Sequence, residues 1–243
     1  MNKLRLVVSV LTLVLAAVAA SSVTAAPGKG KSSCTGGTIA AGTYGSMTVT
    51  GECTFGDGTI TINGNLKVAP GAALNDGARA TAFVHVTGNV IVGEGGVVGL
   101  GTYDPSPAHA TAVVDGNVIG DGAASLYLGG MTIHGNLVVS GGGDAGRNLP
   151  IKDDTIDGNV VIHGWTGLWF GVIRTDVGKN VIVTDNAAAD PTTLPGIDSS
   201  EIVTNTIAGN LICSGNTPAP QVGDSEGATN TVGGHKLGQC AGL

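Results

Sequence analysis

The feature that most constrains this chain is a short Gly-Asn segment, flanked by aliphatic residues, that returns seven times. The copies are Ile62-Asn63-Gly64-Asn65-Leu66-Lys67-Val68, Val86-Thr87-Gly88-Asn89-Val90-Ile91-Val92, Val114-Asp115-Gly116-Asn117-Val118-Ile119-Gly120 and Ile133-His134-Gly135-Asn136-Leu137-Val138-Val139. They continue as Ile156-Asp157-Gly158-Asn159-Val160-Val161-Ile162, the variant Val177-Gly178-Lys179-Asn180-Val181-Ile182-Val183, and Ile207-Ala208-Gly209-Asn210-Leu211-Ile212-Cys213. From Asn65 to Asn210 the Asn residues are 24, 28, 19, 23, 21 and 30 positions apart. Periods of that size mark stacked structural units.

The segments are short, β-branched and bounded by Gly, so they read as strands. No helical periodicity follows residue 26. Gly permits a sharp turn, and Asn tolerates the left-handed region and hydrogen-bonds nearby backbone. Stacked at ~4.8 Å per coil, Asn65, Asn89, Asn117, Asn136, Asn159, Asn180 and Asn210 are expected to form an amide ladder. The fold predicted is all-β: a single-stranded parallel β-helix, right-handed, of about eight or nine coils. The 42 Gly residues fall at the ends of apolar runs and lack the every-third spacing of collagen. Thr204-Asn205-Thr206-Ile207 recurs as Thr229-Asn230-Thr231-Val232, which marks a degenerate eighth unit at Val232-Gly233-Gly234-His235.

The repeat resembles right-handed parallel β-helix families in general. Its short unit is similar to that of bactofilins, the polymer-forming bacterial scaffold proteins, over about Ile62 to Cys213. The coils here are longer and less regular, and the chain carries a signal-peptide pattern and cysteines. Those departures argue against a cytoplasmic filament, and the chain looks more like secreted bacterial β-helix proteins.

Lys3 and Arg5, an apolar run from Leu6 to Ala20, and small residues up to Ala26 before Pro27 have the order of a secretory signal peptide. The expected organisation is a signal peptide at 1–26, an N-terminal cap at 27–60, repeats at 61–213 and an irregular C-terminal cap at 214–243. No other apolar stretch is long enough to span a membrane. The whole chain has a net charge of −7; without Lys3 and Arg5, nine basic residues face 18 acidic ones, 9 − 18 = −9. Such a chain has no basic patch to hold a phosphate backbone, so nucleic acid is excluded as a partner.

Cys34, Cys53, Cys213 and Cys240 lie two near each end. In an exported chain an even count reads as disulfides. Of three connectivities, Cys34–Cys53 with Cys213–Cys240 is favoured because the ends of a rod are far apart.

No catalytic, phosphate-binding or metal motif is present, and the sequence assigns no cofactor and no metal. The five His, at 85, 109, 134, 163 and 235, hold different offsets from the Gly-Asn anchors, so no shared column is expected. Thr48, Thr50, Thr59 and Thr61 hint at a flat Thr face that does not continue. The most suggestive stretch is Trp165-Thr166-Gly167-Leu168-Trp169-Phe170, which holds both Trp residues. Trp165 and Trp169, with Asp153, Asp154 and Arg174, form the candidate ligand site, since aromatic faces suit sugar stacking. Arg147, Lys152, His163 and Asp190 are near in sequence. The competing account is packing for the Trp pair and solvated turn positions for the two Asp.

The function expected is an exported, non-enzymatic scaffold, adhesive or surface protein, with self-association or polysaccharide as partner. The rival is a carbohydrate-active β-helix, a lyase, hydrolase or glycan-binding protein, which rests on fold analogy.

Overall fold

In the computed structural model, which describes residues 30–75, 82–102, 111–189, 199–222 and 228–243, strands recur in sets of three. One coil shows the plan. Thr155–Ile156 enters the Gly158-Asn159 turn, Val160–His163 follows, and a second turn leads to Trp169–Ile173. Each strand pairs in parallel with its counterpart one coil away, so the coils build three parallel sheets. The first sheet, containing Val160–His163, has ten strands; the second, containing Trp169–Ile173, has eight; the third, containing Thr155–Ile156, has nine. This is a parallel β-solenoid with no helix among the described residues.

Strand alternation explains how so few aromatics make a core. Val160, Ile162, Val181, Val183 and Leu211 point inward and are fully buried, with Ile156, Val177 and Ile207 from the third sheet beside them. Because the three walls are close, one aliphatic side chain per inward position fills the space.

The strands run on past both boundaries expected from the repeat. Ser32–Cys34 through Glu52–Phe55 already belong to the sheets, so 27–60 is not merely a cap. Thr231–Val232 and Lys236–Gly238 extend the third and first sheets, so 214–243 is not wholly irregular. Both coils depart from the Gly-Asn signature, with Ser46 and His235 where the other coils have Asn; the degenerate unit at Val232-Gly233-Gly234-His235 is the second of them. The expected signal peptide (1–26), His109 and Asp190 lie outside the described residues.

The Asn ladder is present. Asn136 donates its backbone N–H (2.8 Å) and side-chain amide (2.9 Å) to the Oδ1 of Asn117. Asn159 does the same to Asn136, at 2.9 and 3.0 Å. The ladder runs from Asn65 to Asn210 and is closed by Ser46 Oγ at one end and the His235 N–H at the other.

Two further ladders occupy the other corners. Between the first and second sheets, the Trp165 N–H donates to Asn186 Oδ1 (2.8 Å), the Asn186 N–H to Asn216 (3.1 Å), and the Asn216 N–H to Gln239 (2.9 Å). Between the second and third sheets, the Met131 N–H donates to Asp154 Oδ1 (3.0 Å), the Thr175 N–H to Asn205 (2.9 Å), and the Asn205 N–H to Asn230 (3.1 Å). These amides turn inward at corners where no strand partner can take them, and unsatisfied buried amides are costly. Disulfides Cys34–Cys53 and Cys213–Cys240 tie successive segments at the two ends of the stack.

Candidate functional site

The residues singled out from the sequence fall on the second sheet and the corners on either side of it. In Trp169–Ile173, Phe170 and Val172 enter the core, so Trp169, Gly171 and Ile173 belong to the opposite face. The Trp169 ring lies across Gly171, where any Cβ would collide with it. Its Nε1–H donates to Glu201 Oε2 at 3.0 Å. The Lys152 ammonium stands 5.1 Å from the ring centroid, a cation–π contact. Trp169 is half-buried and Glu201 is buried.

At the corner, Arg174 meets Asp153 from the coil before it, Nε to Oδ1 at 2.7 Å and Nη2 to Oδ2 at 2.9 Å. Both side chains are about a third exposed (36% and 34%), so water screens much of this pair. Asp153 and Arg174 both have positive φ, 59° and 50° respectively, which turns their side chains out of the corner.

Two of the five expected ligand residues do not reach a surface. Trp165 is fully buried, set edge-to-face against Phe170 with centroids 6.0 Å apart and planes at 77°. It lies at the corner where the next coil has Asn186, so it fills the core and cannot stack on a ligand. Asp154 is 2% exposed and is no solvated turn residue. Burial, with a smaller push from the Asp153 charge, raises its pKa to about 8 against the pull of amide hydrogen bonds at Met131 and Lys152.

What remains at the surface is Trp169 with Lys152 over its ring, backed by the buried Glu201, next to the Asp153–Arg174 pair. It offers an apolar ring among charged groups, which suits a hydroxyl-rich ligand better than bond-breaking chemistry. Glu201 went unnoticed in the sequence because it lies 32 positions from Trp169 and carries no motif. Register alone brings it there, pairing Gly171 with Glu201.

The histidines meet partners from the next coil in separate places. His85 Nε2 lies 3.0 Å from Asp115, His134 Nδ1 2.7 Å from Asp157, and His163 Nδ1 3.0 Å from Thr184 Oγ1. Among the described residues no three His, Cys, Asp or Glu side chains converge as metal ligands, and no helix is long and apolar enough to cross a membrane.

Two outer files run along the stack. On the third sheet, register aligns Thr43, Thr61, Thr132, Thr155, Thr206 and Thr231, interrupted by His85, Val113 and Asp176. The Thr61 file therefore does continue, whereas Thr48 belongs to the first sheet. On the first sheet, the outward residue of seven successive strands is aliphatic: Ile91, Ile119, Val138, Val161, Ile182, Ile212 and Leu237.

Comparison with known proteins returned no match: no family model, no curated protein and no solved structure matches this chain.

Proposed function

We propose that this chain is an exported, non-enzymatic scaffold that works at or beyond the cell surface by self-association. The observation that carries this reading is the aliphatic file on the first sheet. Seven rungs at ~4.8 Å make a stripe about 30 Å long. The first six members are half-buried and Leu237 is 45% exposed. A surface matching that stripe needs the same rung spacing, and a second copy of this chain has it. Two disulfides accord with an oxidising compartment, and the sequence of 1–26 has the order of a signal peptide. The likeness of the Gly-Asn repeat to bactofilins, which are polymer-forming, points the same way.

The test is sedimentation velocity of the chain from Pro27 onward across a wide concentration range, beside Val138→Lys and Val161→Lys. Association by the wild type that both variants lose while keeping their circular dichroism supports the reading. A wild type that stays monomeric at high concentration overturns it.

A second reading, glycan binding on the outer wall of the second sheet, is favoured by Trp169 with Lys152 and Glu201 around it. Titration with acidic and neutral oligosaccharides should quench Trp169 emission, and Trp169→Ala should abolish binding. No fluorescence response to any of them removes this reading.

A further inference from the structure

Four Asn residues of the second and third corners, Asn186, Asn205, Asn216 and Asn230, obey one rule. The side-chain oxygen accepts a backbone N–H from the coil before, and the side-chain NH2 donates to the carbonyl three residues upstream of that N–H. Asn205 takes the Thr175 N–H and gives to Val172 O (2.7 Å). Asn230 takes the Asn205 N–H and gives to Ile202 O (2.7 Å). Asn186 takes the Trp165 N–H and gives to Ile162 O (3.0 Å). Asn216 takes the Asn186 N–H and gives to Val183 O (2.8 Å).

Asp154 occupies the same kind of position. Its Oδ1 takes the Met131 N–H at 3.0 Å, and the rule assigns its other arm to the Leu128 carbonyl. That arm is Oδ2, which is buried and has no hydrogen-bond partner. A carboxylate oxygen can only accept, so it cannot fill the role of an Asn NH2 opposite a carbonyl. A carboxylic acid can, because it carries one O–H donor.

We propose that Asp154 is a protonated acid in the folded chain, standing in for Asn by donating to Leu128 O, and that loss of this proton loosens the corner as the solution turns alkaline. The surroundings agree. Leu128, Ile151, Ile156 and Val172 close the core side and are fully buried. On its own coil the charged neighbours are Lys152, which faces Trp169, and Asp153. The following coil brings Arg174, held to Asp153, and Asp176, whose backbone N–H donates to Asp154 O. The preceding coil offers Tyr127, on the strand Ser125–Gly129, as its titratable group.

The sign follows from linkage. The folded pKa is raised to about 8, against about 3.9 in an unfolded chain. The acid's stabilising contribution is complete below about pH 4 and is lost as pH rises through about 8.

The experiment compares wild type with Asp154→Asn by urea denaturation between about pH 4 and pH 9, together with isotope-edited infrared spectroscopy of the aspartates. Asn supplies the missing NH2 permanently. The wild-type unfolding constant should rise by up to about 10⁴-fold across the range, while the variant lacks that rise and is the more stable protein above neutrality. The wild type should show a protonated-carboxyl band near pH 6 that the variant lacks. Equal pH slopes in the two proteins, or a wild type with every aspartate ionised at pH 6, would overturn the proposal. If Asp154→Asn fails to fold, that too overturns it, since the proposal requires Asn to fit.

Discussion

Arg174 grips Asp153 across consecutive coils by two parallel hydrogen bonds, 2.7 and 2.9 Å, and both residues sit in the left-handed region of backbone space. Geometry of this kind gives direction more than strength. With both groups about a third exposed, the coupling energy in a double-mutant cycle of Asp153→Ala and Arg174→Ala should stay below about 1 kcal/mol. A coupling of several kcal/mol in urea denaturation would mean the pair is desolvated.

Replacing Asn136 by Leu removes acceptor and donor at once and strands the N–H of Asn159 at the corner. The expected cost is about 1–3 kcal/mol, measured by urea denaturation. Asn159→Leu should match it. Asn65, which accepts from Asn89 but has only Ser46 below it, should cost less. Melting temperatures unchanged for both central variants would remove the ladder from the account of stability.

The Trp residues should separate cleanly. Trp165→Ala empties the core beside Phe170 and should cost about 3–5 kcal/mol. Trp169→Ala loses a half-buried ring on the outer wall and should cost no more than about 1–2 kcal/mol. In emission spectra, the Trp169→Ala protein should be blue-shifted and shielded from acrylamide, whereas the Trp165→Ala protein should be quenched.

Peptide mapping without reductant should recover Cys34 linked to Cys53 and Cys213 linked to Cys240. Opening either link with a Cys→Ser pair should cost about 3 kcal/mol on the chain-entropy account, since the linked residues are 19 and 27 positions apart. Hydrogen exchange should then quicken in the coil at that end and stay slow around Asn136 and Asn159.

The first corner was legible in the sequence because one residue type recurs there behind Gly. The other two were not, because their positions are filled by unlike residues. Trp165, Asn186, Asn216 and Gln239 share one corner; Met131, Asp154, Thr175, Asn205 and Asn230 share another. What unites each set is a backbone N–H, which has no letter in the sequence. The Trp pair illustrates the same limit. Trp165 and Trp169 are four positions apart, yet one falls in a corner facing the core and the other on a strand facing away. Coil length varies, so the Gly-Asn anchor predicts the strand just after it and loses register before the second sheet. The Thr61 file was hidden likewise, since its members are unevenly spaced in the chain.

The ladders also run in opposite senses. At the first corner the Asn of each coil donates its backbone N–H to the coil before it; at the other two the N–H groups of Trp165, Asn186, Asn216, Met131, Thr175 and Asn205 donate to a side chain of the coil after. A stack assembled from its N-terminal side therefore finds an Asn acceptor ready for each arriving Gly-Asn coil after the first, while corner amides such as those of Trp165, Thr175, Asn186 and Asn205 stay open until the next coil lands. Over these C-terminal coils growth by accretion is thus self-propagating: each layer creates the demand that the next one meets. Something must end the series, and Gln239 does so for one corner, taking the Asn216 amide from a segment anchored next door by Cys240.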